Sequence, residues 1–367
     1  MKTILNIINT ALNLCPSCLK EVDVSGLDVG TGVVCPYCSY QFSVFSKFDH
    51  FRLEHKLGEG GMGSVFQATD ENLNRIVAIK VLKVSLSENK KFIETFLREV
   101  EITSSLAHPN IVQVYSFGQF EGQYYLVMEC LGDNTLDDEI SRRKKLSEIE
   151  AIDIAIGIAS GLNFALQKGQ LIHRDIKPGN MMIANDGTPK VVDFGLALTP
   201  ETADEIDGEI WGTPYYVSPE RLEGIPEDFR SDMYSLGVTI YHSLAGRPPF
   251  DADTAELVAS MHLHNTPLPL ATYAPNVSEQ TVYAITKCMA RHRDDRFQSY
   301  DEFIAQLEDA KRRLSSKPFN AAAPPTVTQI EDSVSNNKQA ILLIAILVGL
   351  VILIIGAYLL HRISQSV

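Results

Sequence analysis

The chain has 367 residues, 45% of them hydrophobic, enough for two lobes with separate cores plus accessory segments. A net charge of −14 argues against a general nucleic-acid binder, which needs cationic surface against phosphates, and is compatible with basic protein substrates. Of six cysteines, four fall in two tight pairs and Cys130 and Cys288 stand alone, which suggests metal ligation in a reducing compartment rather than a disulfide framework.

The first stretch, MKTILNIINTALNL, carries one Lys and three interrupting Asn, and reads as a short amphipathic segment rather than a leader. CPSC (residues 15 to 18) and CPYC (35 to 38) follow, with 16 residues between the pairs. Two such turns can gather Cys15, Cys18, Cys35 and Cys38 around one tetrahedral Zn²⁺, closed to water and therefore structural. Gly26, Gly30 and Gly32 suit the turns of a zinc ribbon over residues 1–47, and nothing in the sequence chooses its partner.

Mixed strand and helix patterning runs over 48–314. LGEGGMGSVFQA (57 to 68) has Gly58, Gly60 and Gly63 in G-x-G-x-x-G spacing, but SVFQA alternates like a strand. The glycines therefore predict a hairpin flap that approaches phosphates closely, not the helix opening of a dinucleotide site or a Walker loop. In RIVAIKVLK, Ile76, Ala78 and Lys80 share one strand face, and a lysine on the inner face of an apolar strand needs an anion. Glu99, on a helical stripe with Phe92, Phe96 and Thr103, is a candidate partner. Ser147 and Glu150 form a capping box for a helix that Gly169 can stop. HRDIKPGN (173 to 180) then sits on a loop held by that helix. It gathers a carboxylate, an ammonium and a carboxamide, the groups that phosphoryl transfer requires. VVDFG (191 to 195) adds a second carboxylate.

These motifs, in this order and spacing, resemble the eukaryotic-type serine/threonine protein kinases, most closely the bacterial membrane-anchored members. The resemblance implies an α+β fold with a small β-rich lobe and a large helical lobe. It implies that Asp175 orients a substrate hydroxyl and accepts its proton, and that Lys177 stabilises the transferring phosphate. Lys80, paired with Glu99, would meet the nucleotide phosphates, and Asn180 and Asp193 would bind Mg²⁺. ATP would lie under Leu57, Gly58, Gly60 and Gly63, its purine between Val65, Ala78 and Met182. Met128 would be the gatekeeper, and the backbone of Glu129 and Leu131 would bond adenine.

Further along, the resemblance implies that Thr213 bonds Asp175 and Lys177, that Glu220 pairs with Arg296, and that Asp232 braces the catalytic loop. Ser218 stands where the family has alanine. Arg174 marks a loop that usually awaits an activation-loop phosphate. The acidic stretch ETADEIDGEIW suggests that Glu205 and Asp207 partly take its place, with Thr199, Thr202 and Thr213 as phosphosites. The implied partners are proteins bearing Ser or Thr, and a second copy of the chain for autophosphorylation. The alternative from another class is a nucleotide-binding pseudokinase scaffold that recruits partners through the ribbon.

Residues 315–338 are rich in Pro, Ala, Ser and Asn and read as a linker. The uncharged run from Ala340 to Leu360 predicts a transmembrane helix over 339–361, with a tail at 362–367. Lys311, Arg312, Arg313, Lys317 and Lys338 precede it, so the positive-inside rule predicts a cytoplasmic catalytic domain and an external C-terminus.

Overall fold

The structure is a computed structural model; it describes residues 12–60, 63–88, 90–132, 134–194 and 214–316. The chain divides into two compact units, Met1–Arg312 and Arg313–Val367. The expected membrane span at 339–361 and the linker lie outside the described residues.

Two small hairpins come first. β1 (Leu12–Leu14) pairs with β2 (Glu21–Asp23), and β3 (Gly32–Val34) pairs with β4 (Gln41–Ser43). Each encloses one cysteine pair in a turn of the same construction. Cys15 N–H donates to the Lys20 carbonyl at 2.9 Å and Leu19 N–H to the Cys15 carbonyl at 2.8 Å. Cys35 N–H donates likewise to Tyr40, and Ser39 N–H to Cys35, both at 2.9 Å. Leu19 and Ser39 both take left-handed backbone, φ 58° and 61°. Beyond the C-P-x-C pairs the sequence shows no repeat here, but the backbone turns are duplicates. Gly26 and Gly30 occupy positive-φ turns as expected, whereas Gly32 lies in β3. A Cβ on Gly30 would come within 2.8 Å of the His55 Cβ, so glycine lets this loop lie against the next sheet.

That sheet is antiparallel, in the order β5-β6-β7-β8-β10-β9. Its strands are β5 (Ser46–Phe48), β6 (Phe51–Glu59), β7 (Gly63–Asp70), β8 (Arg75–Leu82), β9 (Val114–Phe120) and β10 (Gln123–Met128). The expected boundary between residues 47 and 48 thus falls inside β5. One face carries an aromatic-rich core of Phe48, Phe51, Leu53, Phe66, Val77, Ile79 and Val127, with Val29 from the hairpin region packed on it. Because strand side chains alternate, Val65, Ala78 and Lys80 emerge on the opposite face, with Val65 directly across from Lys80. The inner face expected for Lys80 is therefore the one turned away from the aromatic core. Helix α1 (Lys90–Ser104) packs Ile93, Phe96 and Val100 on Leu82. The side chain of Glu99 lies outside the described residues.

The second lobe contains α2 (Leu136–Arg143), α3 (Glu148–Gly169), α4 (Phe229–Ala245), α5 (Ala255–His264), α6 (Glu279–Cys288) and α7 (Tyr300–Ser316). The capping box forms as read: Ser147 Oγ accepts from Glu150 N–H, and the Glu150 carboxylate accepts from Ser147 N–H at 3.0 Å. The helix runs through Gly169, the glycine expected to stop it, and Gln170 (φ 52°) makes a left-handed exit. Among the described residues α3 alone is long and apolar enough to cross a membrane, but Ile152, Ala155, Ile158 and Leu162 bury it in the lobe.

The expected Glu220–Arg296 pair is present and fully buried. Arg296 Nη1 and Nη2 reach the two carboxylate oxygens at 2.7 and 2.8 Å, and its guanidinium also donates to the carbonyls of Ala290, Arg230 and Arg291. Burial opposes the Glu220 charge, but Arg296 and Ser231 hold its carboxyl below the usual glutamate value of 4.5. The pair's contribution is therefore complete above that value and lost as pH falls through the depressed one. Arg296→Ala strands a buried carboxylate and should cost about 3–5 kcal/mol in denaturant unfolding. It should also remove this acid-limb dependence; a loss below about 1 kcal/mol would place the lobe's anchor elsewhere.

Candidate active site

The loop 173–180 links α3 to the short hairpin β11 (Met181–Ile183) and β12 (Pro189–Val191). Asp232, buried near the start of α4, accepts from His173 N–H at 2.6 Å and from Arg174 N–H at 2.8 Å. Burial pushes its carboxyl up to about 7 against the pull of those two donors. The brace read from the sequence is therefore in place, and Arg174 turns through φ 66° under it. The His173 ring bridges the next strand: Nε2 lies 3.2 Å from the Val192 carbonyl, and Nδ1 lies 3.2 Å from Asp175 N–H. Only the neutral tautomer with its proton on Nε2 satisfies both, and burial lowers the His173 pKa despite nearby Asp175.

Asp175 is gripped from two sides. Lys177 Nζ donates to its two oxygens at 2.9 and 2.7 Å, and Asn180 Nδ2 donates to its carboxylate at 2.8 Å. That commits the Asn180 amide nitrogen and turns its carbonyl oxygen away from Asp175. Val192 N–H donates to the Asn180 backbone carbonyl at 3.0 Å, which brings Asp193 beside the loop. Lys80 Nζ meets Asp193 Oδ1 at 2.8 Å. Burial opposes the charge on Asp193, but Lys80 holds its carboxyl below the ordinary aspartate value. Its side chain is still 44% exposed, so oxygen remains accessible for a cation. The ammonium from the sheet and the carboxylate–carboxamide set from the helical lobe thus converge. The described partner of Lys80 is Asp193.

The glycine stretch forms the expected hairpin between β6 and β7, closed by Gly60 N–H on the Gly63 carbonyl at 2.9 Å. A Cβ on Gly58 or Gly60 would meet nothing within 4 Å, leaving open space beside this backbone. Gly63 has a different reason: its Cβ would lie 2.1 Å from the Val81 carbonyl oxygen. Leu57 precedes Gly58 at a register shift, half-buried like Val65 and Met182. At the hinge, Glu129 N–H is already donated to the Gln113 carbonyl at 2.9 Å, which leaves only its carbonyl for a purine. Its carboxylate pairs with Lys190 at 3.0 Å, and Leu131 is buried. Thr199, Thr202, Glu205, Asp207 and Thr213 lie outside the described residues.

A cavity of about 570 Å³ opens beside Asp175 and Lys177, walled in part by Tyr216, Asp137, His242 and Asp251. The sequence reading missed these walls, and it missed the contact of Arg174 with Glu227. Neither has a local pattern; the one available signal was that a buried arginine needs a counter-ion.

In the N-terminal hairpins the four Sγ atoms of Cys15, Cys18, Cys35 and Cys38 lie within 4.8 Å of one another, with the Cys15–Cys38 and Cys18–Cys35 pairs 3.6 Å apart. Zinc–sulfur bonds of about 2.3 Å in a tetrahedron put sulfurs about 3.8 Å apart, so this set fits the ion. Burial opposes ionisation of Cys15, but the backbone N–H groups of Cys18 and Ser17 and the neighbouring thiols carry its pKa down to about 7.

Residues 51–307 match the protein kinase domain family, and the chain belongs to it. It is similar to a probable serine/threonine-protein kinase of Clostridium acetobutylicum, with 34% identity over 293 residues, 79% of this chain and 44% of that one. It is similar also to the serine/threonine-protein kinase PknB of Mycobacterium leprae, with 37% identity over 265 residues, 71% and 42% of the two chains. The chain thus spans less than half the length of these relatives. The solved kinase domain of Mycobacterium tuberculosis PknI superposes with a TM-score of 0.57 and 27% identity, over 72% of this chain and 97% of that one.

Because Lys80 depresses Asp193, Lys80→Met should move the Asp193 titration upward, toward the ordinary aspartate value, in carboxyl-carbon NMR. An unmoved titration would mean that the contact across the cleft does not form in solution.

Proposed function

We propose that the protein is a serine/threonine kinase that transfers the γ-phosphate of ATP to Ser and Thr hydroxyls of proteins. The observation that carries this reading is the convergence of Lys80 and Asp193 across the cleft on the loop that holds Asp175, Lys177 and Asn180. Asp175 orients the acceptor hydroxyl and takes its proton as the new O–P bond forms. Lys177, already on that carboxylate, moves onto the anionic oxygens as charge shifts toward the leaving group. Lys80 neutralises the phosphates from the sheet side, with Glu99 as the counter-ion that the family resemblance gives it. Asp193 and the side-chain carbonyl of Asn180 would hold Mg²⁺, which would supply positive charge against the phosphate oxygens. Val65, Ala78 and Met182 line the purine slot, with the Glu129 carbonyl and Leu131 N–H at its edge. The lysine two residues after Asp175 supports Ser and Thr as acceptors. Every group whose loss would favour a pseudokinase scaffold is present in the sequence.

The four-thiolate cluster supports a structural Zn²⁺ in a ribbon, and the 340–360 run supports one membrane span that leaves the kinase domain in the cytoplasm. Self-association for autophosphorylation fits the same activity.

Full-length protein in detergent, given Mg·ATP and a basic protein, should incorporate phosphate on Ser and Thr. Asp193→Asn should lower kcat by about 10²-fold or more, the size expected when one charge-stabilising group is removed. Equal incorporation by both would take catalysis away from this site. Native mass spectrometry should find one zinc per chain; a metal-free protein that keeps its fold would refute the ribbon assignment.

A further inference from the structure

Arg174 directly precedes Asp175, and its backbone and side chain are all held. Its N–H goes to Asp232, its carbonyl accepts from Arg221 Nη1, and its Nε donates to Glu227 Oε2 at 2.6 Å. The arginine and glutamate side chains are only 11% and 7% exposed, so this is a desolvated pair rather than a surface contact. We propose that Glu227 is a built-in counter-ion for Arg174, a positioning residue that holds the Asp175 loop in working geometry without a phosphate on the 195–213 segment. The proposal rests on the phosphoryl-transfer reading and adds how that site is kept ready.

The charge balance of the cluster carries it. The Arg174 guanidinium is paired with Glu227, and the half-buried Arg221 stands beside it with Nη1 on the Arg174 carbonyl. Burial lowers the pKa of Arg221; Glu227 opposes that shift and Arg174 adds to it. The other nearby buried carboxylate, Asp232, spends both oxygens on the N–H groups of His173 and Arg174. Without Glu227, the Arg174 guanidinium would lose its carboxylate partner one residue from Asp175, with Arg221 still beside it. Phosphorylated kinase loops solve such a problem by presenting phosphate oxygens to arginines. Here a carboxylate oxygen already stands at hydrogen-bond distance. The sequence reading gave that part to Glu205 and Asp207, outside the described residues; the structure puts Glu227 on Arg174. Glu227 and Asp232 lie five residues apart, so one short stretch at the start of α4 supplies both the brace for the backbone and the charge for the side chain.

The test uses the full-length protein with Thr199→Ala and Thr202→Ala, checked by intact mass to be free of phosphate on the 195–213 segment. This parent should keep kcat within about twofold of the phosphorylated wild type, and adding Glu227→Gln should lower kcat by about tenfold or more with the KM for ATP nearly unchanged. Glu227→Asp should recover part of the loss. Glu227→Gln with both threonines intact and phosphorylated should regain it, which general destabilisation would not allow. A Glu227→Gln protein that keeps the parent's kcat overturns the inference. So does a parent about tenfold slower than the phosphorylated wild type, an outcome that leaves the kinase reading standing. Absence of incorporation by the wild type in every state sinks that reading and the inference with it.

Discussion

A single buried carboxylate sets the geometry of the catalytic loop. Asp232 takes the adjacent N–H groups of His173 and Arg174 on its two oxygens, which pins consecutive peptide planes to α4. The strained turn at Arg174 persists because this clamp over-determines it. His173, fixed at its backbone, uses both ring nitrogens to tie the loop to the strand end that carries Asp193. One anchoring point in the helical lobe thereby fixes the separation of the two carboxylates that the chemistry needs.

Buried charges in this lobe come in two styles. Arg296 is saturated: carboxylate oxygens and carbonyls surround it, and it lies over the Tyr234 ring at 4.8 Å. Such a site has nothing left to offer a partner and reads as an anchor. Among the described residues the cluster of Arg174, Arg221 and Glu227 is leaner, with fewer acceptors for its cations and direct contact with the loop that bears Asp175. A small change of charge there should be felt by the catalytic geometry, whereas the same change at Arg296 would be felt as stability. The difference follows from how completely each guanidinium is solvated by protein.

What the sequence made legible follows the range of each interaction. Asp175, Lys177, Asn180 and Asp193 stand close in the chain, so their spacing alone suggested a common site. The Glu220–Arg296 pair joins residues far apart in the chain and was readable only through the family resemblance. Glu227 on Arg174 spans a similar gap without any motif, so only coordinates could show it. The shared backbone construction of the two cysteine turns was not legible for another reason. Their likeness lies in backbone hydrogen bonds and left-handed residues, and Leu19 and Ser39 share no side-chain chemistry. Alternation fixed which residues share a face with Lys80, but not which of the sheet's two faces packs on aromatic side chains.

The hairpins and the kinase sheet form one physical object. β5 covers the edge of β6 that would otherwise present unpaired N–H and C=O groups. Asn13 reinforces the junction by exchanging two 2.8 Å hydrogen bonds with the Phe45 backbone, as a neighbouring strand would. Phe48 is wholly buried in the aromatic core, so detaching β5 would expose a side chain whose burial contributes about 2–3 kcal/mol and would open a sheet edge as well. The next strand, β6, ends at Leu57, Gly58 and Glu59 in the hairpin over the cleft. The chain thus runs from the cysteine turns into β5 and, through its pairing with β6, to the strand that ends in the glycine hairpin.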